Sequence, residues 1–241
     1  MTPVDADLAH DLAPTGVLRA SINLGNPVLA QGTPDEPSGI TVDLAREVAE
    51  RLALPVQFIC FDAARKSYAA MTEGHADLCF LAVDPDREKE VAFSTPYVHI
   101  EGVYAAPSNS AFACAADVDR DGVRIGVKKG SAYDLYLSRG LHHATVVRGD
   151  EGVDVFHAEG LDVAAGIRQP LTAHVAQRAE LRLLEPAFMT IRQAIGTTRG
   201  RSPKTARFVS DLVTELVTSG FVAKALRSSG QDPALAASAT V

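Results

Sequence analysis

Apolar and polar residues alternate over Val17–Ile22, placing Leu18, Ala20 and Ile22 on one face and predicting a first strand. Asn23–Ser38 is rich in Gly, Pro, Asn and Asp and reads as loop. Beyond it the period changes: Leu44, Ala45, Val48, Ala49 and Leu52 form one apolar stripe at helical spacing, with Glu47, Glu50 and Arg51 on the wet side. Thr41 is the expected N-cap of this helix, its hydroxyl accepting an N–H of the first turn. Val56–Phe61 is the next strand, Ala63–Thr72 a short helix closed by Gly74, and Ala76–Val83 an apolar run broken only by Asp77. Such a run is the mark of a strand buried on both faces of a parallel sheet. Strands alternating with helices predict an open α/β sheet, with ligands bound beyond the carboxyl ends of its strands. The loops at Asn23–Asn26 and Val83–Arg87 fall there.

A second α/β pattern follows. Gly102–Ala106 predicts a strand that crosses out of the first region, and Pro107–Ser110 a break in composition. Val123–Val127 is a strand, Lys128–Ser131 a turn, and Ala132–Arg139 a helix. Leu161–Gly166 and Leu181–Leu184 supply short strands, and Ala194–Thr197 a returning crossover. The closing helix, Ala206–Thr218, buries Phe208, Val209, Leu212, Val213, Leu216 and Val217, and Ser219-Gly220 stops it. Phe221–Arg227 adds an amphipathic turn or two, and the Ala-rich tail Gln231–Val241 is expected to fray.

Between Gly39 and Tyr97 the chain reads G-I-T-V-D-L-A-R-E-V-A-E-R-L, then V-Q-F-I-C-F, a short helix, and A-D-L-C-F-L-A-V-D-P-D-R-E-K-E-V-A-F-S-T-P-Y. This order of parts resembles the first lobe of the family 3 extracellular solute-binding proteins, which serve bacterial amino-acid uptake. The resemblance runs from about Gly16 to Ser229. It implies a periplasmic-binding-protein-like type II architecture: two lobes, each an open α/β sheet, with two crossover strands as the hinge. Residues 1–104 and 193–241 would form the first lobe and residues 105–192 the second. It also implies a solute receptor that closes on its ligand and presents it to an ABC permease or a sensor.

Composition narrows the field without choosing a ligand. The 241 residues are 46% hydrophobic and 22% charged, enough chain for a sizeable core. A net charge of −7, with no basic run interleaved with aromatics, argues against nucleic-acid binding. No stretch approaches the length of a transmembrane helix, so membrane insertion is not expected. Cys60, Cys79 and Cys114 are three, an odd number without C-x-x-C spacing, so neither a disulfide framework nor a zinc site is expected. No cofactor fingerprint is present. Residues Met1–Pro14 lack a basic n-region, an apolar h-region and a lipid-anchor cysteine. The chain as written is therefore expected in the cytoplasm, or outside it if an export signal has been removed.

Arg87 is the leading ligand candidate, because the resemblance places it where the T-x-x-R…F-S-x-P-Y arginine grips a carboxylate. A guanidinium suits that task with planar, bidentate donors; the alternative is pairing with Asp84 or Asp86. Gly130-Ser131 opens a helix whose amides form an anion site, unless Ser131 is a plain N-cap. Where the resemblance puts an aspartate for the ligand's ammonium, this chain has Ile167, followed by Arg168. Asn23 stands where an acid is usual in the first lobe, and Leu24–Leu29 replaces an aromatic platform. A buried ammonium without an anionic partner is costly. Arg87, Asn23, Asn26, Ser131, Tyr133, Arg168 and Gln169 therefore predict a site for a small anionic, carboxylate-bearing solute other than an ordinary α-amino acid. Asp84 or Glu101 could supply a missing acid. The alternative function is a dehydratase- or lyase-like enzyme, or a sensor, on the same fold. No motif names a catalytic residue, and enzyme activity is not the expectation.

Overall fold

The computed structural model describes residues 5–238. The chain divides into two compact units, one built from the residues up to His99 and from Arg192 onward, the other from Ile100–Ile191.

The first unit opens with α1 (Ala6–Leu12), capped by the Asp5 side chain. Strand β1 (Leu18–Asn23) follows, then a two-residue hairpin of β2 (Gln31–Gly32) and β3 (Pro37–Ser38). Helix α2 (Ile40–Arg51), β4 (Val56–Phe61), α3 (Ala64–Thr72) and β5 (Leu78–Ala82) complete its first half. β1 lies between β4 and β5, parallel to both, and Gln193–Gly196 pairs antiparallel with β5. All five residues of β5 are buried, as its unbroken apolar run predicts. Helix α2 packs on β1 and β4, and α3 on β1, β4 and β5. Met71, Ala76, Cys79, Leu81 and Val91 form an apolar cluster against Phe61, Tyr68 and Phe93.

The chain leaves this unit along β6 (Val91–Pro107) and returns along β10 (Leu181–Thr198). Each is one continuous strand where alternation predicted short pieces: Leu181–Leu184 and Ala194–Thr197 belong to the same strand. The polar residues between them, Glu185, Thr190 and Arg192, are exposed, which hid the continuity. In the second unit β7 (Arg124–Lys128), α4 (Ala132–Gly140), β8 (Thr145–Gly149), α5 (Gly152–Glu159), β9 (Val163–Ile167) and α6 (Arg168–Ala176) follow in order. β7 is parallel to β8 and β9, and β9 is antiparallel to Gly102–Ala105 of β6. Phe156, Leu161, Ala164 and Leu181 form one core cluster, and Val103, Ala105 and Leu171 another.

Helices α7 (Pro203–Thr218) and α8 (Phe221–Ser228) close the first unit. Ser202 caps α7 and Pro203 occupies its first position, three residues before the periodicity alone placed its start.

Two sequence expectations are corrected here. Thr41 is not an N-cap: α2 starts at Ile40 behind Gly39, and the buried Thr41 hydroxyl donates to Leu29 O at 3.2 Å. Gly39 has φ +102°, and a Cβ there would lie 2.7 Å from Leu29 O, so a glycine is required. Nor does the tail fray through its described part. Val98 and Ala236 form a β-bridge, and Ala237 N–H donates to Tyr97 O at 2.9 Å. Residues 239–241 of the expected frayed tail, and residues 1–4 at the other end, lie outside the described residues.

Candidate functional site

In the first unit the parallel strands β1 and β5 end side by side, and the candidate residues sit just beyond those ends. Asn23 is the last residue of β1; its Oδ1 accepts the N–H of Gly25 at 3.1 Å, folding the loop into a tight turn. Asn26 does the same one turn later, accepting from Val28 N–H at 3.3 Å, and is buried. Arg87 opens a short 3₁₀ turn, Arg87–Lys89, after β5. It is only 3% exposed, and its Nη1 donates to the carbonyl of Ala82, the last residue of β5, at 3.1 Å. The Asp84 carboxylate accepts from Asp86 N–H at 2.9 Å, which shapes the turn that carries Arg87. An N–H anchored on a strand carbonyl fixes the plane of a guanidinium.

In the second unit, β7 and β9 are parallel neighbours; the turn after β7 carries Ser131, and the helix directly after β9 opens with Arg168 and Gln169. Ser131 is the N-cap of α4, its Oγ accepting from Asp134 N–H at 3.1 Å. Asp134, buried, returns the favour by accepting from Gly130 N–H at 2.8 Å. Arg148 Nε lies 2.9 Å from Asp134 Oδ1, balancing the buried charge. The chain's own carboxylate thus occupies one of the amides that made Gly130-Ser131 a candidate anion site. Tyr133 is buried inside the unit, and burial raises the pKa of its phenol.

Ile167 ends β9 and Arg168 opens α6. The Arg168 guanidinium donates to Glu185 Oε1 at 2.6 Å and Oε2 at 2.8 Å, while its Nε donates to Glu101. The Glu185 hydrogen bonds raise the pKa of Arg168, and the same bonds hold the Glu185 carboxyl below its ordinary value. Arg168 is therefore committed to two glutamates of its own unit. Gln169 is half-buried, and its Oε1 has no hydrogen-bond partner among the described residues.

Sequence reasoning missed Glu185 and Asp134, and raised Glu101 only as a substitute acid. Glu185 precedes Pro186 within β10, and only the pairing of distant strands brings it to Arg168. The sequence could have flagged Asp134 through the S-x-x-D spacing from Ser131. Five other polar side chains are structural or peripheral. Tyr97 is fully buried, packing edge-on against Phe80 at 6.5 Å. Lys66 pairs with Asp62 on the surface. His99 and Arg192 are exposed. Gln193 is buried.

Among the described residues, no group of three or more His, Cys, Asp or Glu could hold a metal ion. None of their helices is long and apolar enough to cross a membrane.

The family model of the bacterial extracellular solute-binding proteins, family 3, matches residues 22–229. No curated protein matches the chain. A mutant of ArgBP from T. maritima superposes with a TM-score of 0.74 at 20% identity, covering 92% of this chain and 98% of that one. The cysteine-binding protein of Campylobacter jejuni gives 0.74 at 18% identity, over 93% and 92% of the two chains. An ancestral amino-acid-binding protein, described as a precursor of cyclohexadienyl dehydratase, gives 0.73 at 18% identity over 92% and 98%. At these identities the likeness shows the fold, a mixed α/β periplasmic-binding-protein-like type II architecture. With a family match over most of its length, the chain belongs to the bacterial extracellular solute-binding proteins, family 3.

Proposed function

We propose that this protein is a receptor for a small carboxylate-bearing solute, delivered to an ABC permease or a sensor. The observation that carries the reading is the placement of Arg87, buried and anchored on the Ala82 carbonyl at the carboxyl end of β5. Ligands of open α/β sheets bind beyond such strand ends, and a buried, oriented guanidinium suits a carboxylate. Asn23 and Asn26, on the loop of the same unit, add amide groups suited to a hydroxylated ligand.

The absence of an acid at Ile167 supports a solute other than an ordinary α-amino acid. A second reading is favoured by Arg168: two glutamates surround one guanidinium, leaving one excess negative charge. That charge suits an α-amino acid whose ammonium is received by Glu101 or Glu185. The structural neighbours named for amino acids agree with this second reading.

Native mass spectrometry of freshly purified protein, with a thermal-shift screen of hydroxy acids, dicarboxylates and amino acids, separates the two. A ligand raises the melting temperature with the logarithm of its excess over Kd. Stabilisation by non-amino carboxylates alone supports the first reading, and stabilisation by amino acids alone the second. Failure of every carboxylate, with cations or neutral sugars stabilising instead, overturns both. Conversion of a bound acid on incubation would make the protein an enzyme with Arg87 as substrate anchor.

A further inference from the structure

Away from these strand ends, α5 and α6 bring two histidines of the second unit together. His157 Nε2 and His174 Nε2 lie 3.1 Å apart, with ring centroids 5.3 Å apart and planes inclined at 41°. The two Nε2 atoms thus face each other nearly end to end at the surface, where His157 is exposed and His174 half-buried. The two nitrogens are within hydrogen-bonding distance, with the donor set by the tautomers of the two rings.

We propose that His157 and His174 form a surface site for a late first-row divalent cation, Zn²⁺, Ni²⁺ or Cu²⁺, completed by water. Imidazole nitrogens select these ions over Mg²⁺ and Ca²⁺, which prefer oxygen. With metal–nitrogen bonds of about 2.0–2.1 Å, a 3.1 Å separation gives an N–metal–N angle of about 100°. That lies between the octahedral and tetrahedral values, so one ion can bridge both nitrogens once the rings tilt toward it from their end-to-end arrangement. The ion takes the place of the hydrogen between the two nitrogens, the donor ring carrying its proton on Nδ1 instead, and two helices become cross-linked through it.

The groups around His174 favour its neutral, ligating form. Burial lowers the pKa of His174, and Arg178 and His157 act in the same sense, while Asp154 and Glu180 oppose them. Asp154 stands one helical turn before His157 on α5, and Arg178 donates to the His174 carbonyl just beyond α6. The remaining five of the chain's seven histidines are not needed for the site.

The test uses tag-free, chelator-treated protein titrated calorimetrically with ZnCl₂ and NiCl₂, with MgCl₂ as control. Wild type should bind one equivalent of Zn²⁺ or Ni²⁺ and gain melting temperature. His157→Ala and His174→Gln should each weaken this binding at least tenfold, while the double variant His142→Ala/His143→Ala should not. Binding should also weaken on acidification, as protons compete with the metal for the ring nitrogens. Circular dichroism identifies any variant that fails to fold, and exposed His157 then provides the deciding substitution. Absence of binding at 1 mM metal, taken as about that concentration on the general scale of weak sites, overturns the proposal. Equal affinity in wild type and a folded His157→Ala does the same.

Discussion

Arg168 and Glu185 form a two-armed ion pair, Nη1 to Oε1 at 2.6 Å and Nη2 to Oε2 at 2.8 Å, linking the first residue of α6 to the middle of β10. Glu101 joins from β6 through Arg168 Nε. Three strands or helices distant in sequence thus meet in one charge cluster beside Ile167. Because Glu185 is well exposed, the pair contributes little to stability, about 0–1 kcal/mol. Glu185→Gln should therefore barely change the melting temperature while altering ligand charge preference, which a thermal-shift panel of anions and cations would read. The pH sense follows from the lowered Glu185 pKa. Whatever stability the pair contributes is present above pH 4.5, the carboxyl's ordinary value, and is lost as pH falls through the folded-state pKa.

Arg87→Lys should fail to preserve ligand binding. A lysine keeps the charge but cannot both anchor on Ala82 O and present a planar fork. Loss of one charge-assisted hydrogen bond, worth about 1.5–3 kcal/mol, corresponds to roughly a 10- to 150-fold weaker Kd. Calorimetry with the ligand identified by mass spectrometry checks this. Unchanged affinity in a folded variant would remove Arg87 from the site.

Asp77 is the buried electrostatic node of the first unit. Its carboxylate accepts from Arg19 N–H and Nε at 3.0 Å each, from Arg19 Nη2 at 2.9 Å, and from Arg201 Nη2 at 3.0 Å. Asp77→Ala would leave both guanidinium groups partly buried without their anion, at a cost of about 3–5 kcal/mol. Urea unfolding should show the midpoint fall accordingly, and the loss should shrink when Arg19 is also replaced.

Gly39→Ala should destabilise the fold by about 1–3 kcal/mol, because the backbone is held in a left-handed region and the new methyl meets Leu29 O. A thermal or urea melt would measure it. Since the strained position precedes α2, the helix start rather than its interior should lose amide-exchange protection first.

Cys79 should resist alkylation in the native protein at pH 8. Burial pushes its thiol up to about 12, leaving almost no thiolate, and the side chain is fully covered. Iodoacetamide followed by peptide mass analysis should modify the half-buried Cys60 and Cys114 first, and Cys79 only after denaturation.

Local pattern was enough for most elements of this chain. The apolar stripe of α2, the buried run of β5 and the closing stripe of α7 each carry their own period, because burial of one face is a local demand on the sequence. The short β8 and α5, between Thr145 and Glu159, were not legible, since β8 is an edge strand and only Gly152 and Phe156 of α5 are deeply buried. Family membership was legible too, because motif order along Gly39–Tyr97 survives where identity to structural neighbours has fallen to about one residue in five.

What the candidate residues touch was decided only by tertiary structure. Sequence placed Arg168 beside the missing acid at Ile167; folding gave it Glu101 and Glu185 from β6 and β10. Sequence offered Gly130-Ser131 as an anion site; folding turned Asp134 back onto Gly130 N–H. His157 and His174 sit 17 positions apart with no motif joining them, and only the packing of α5 and α6 brings their nitrogens to 3.1 Å. Periodicity records which face of an element is buried, whereas the partners of a charged side chain depend on pairings between strands and helices far apart in the chain.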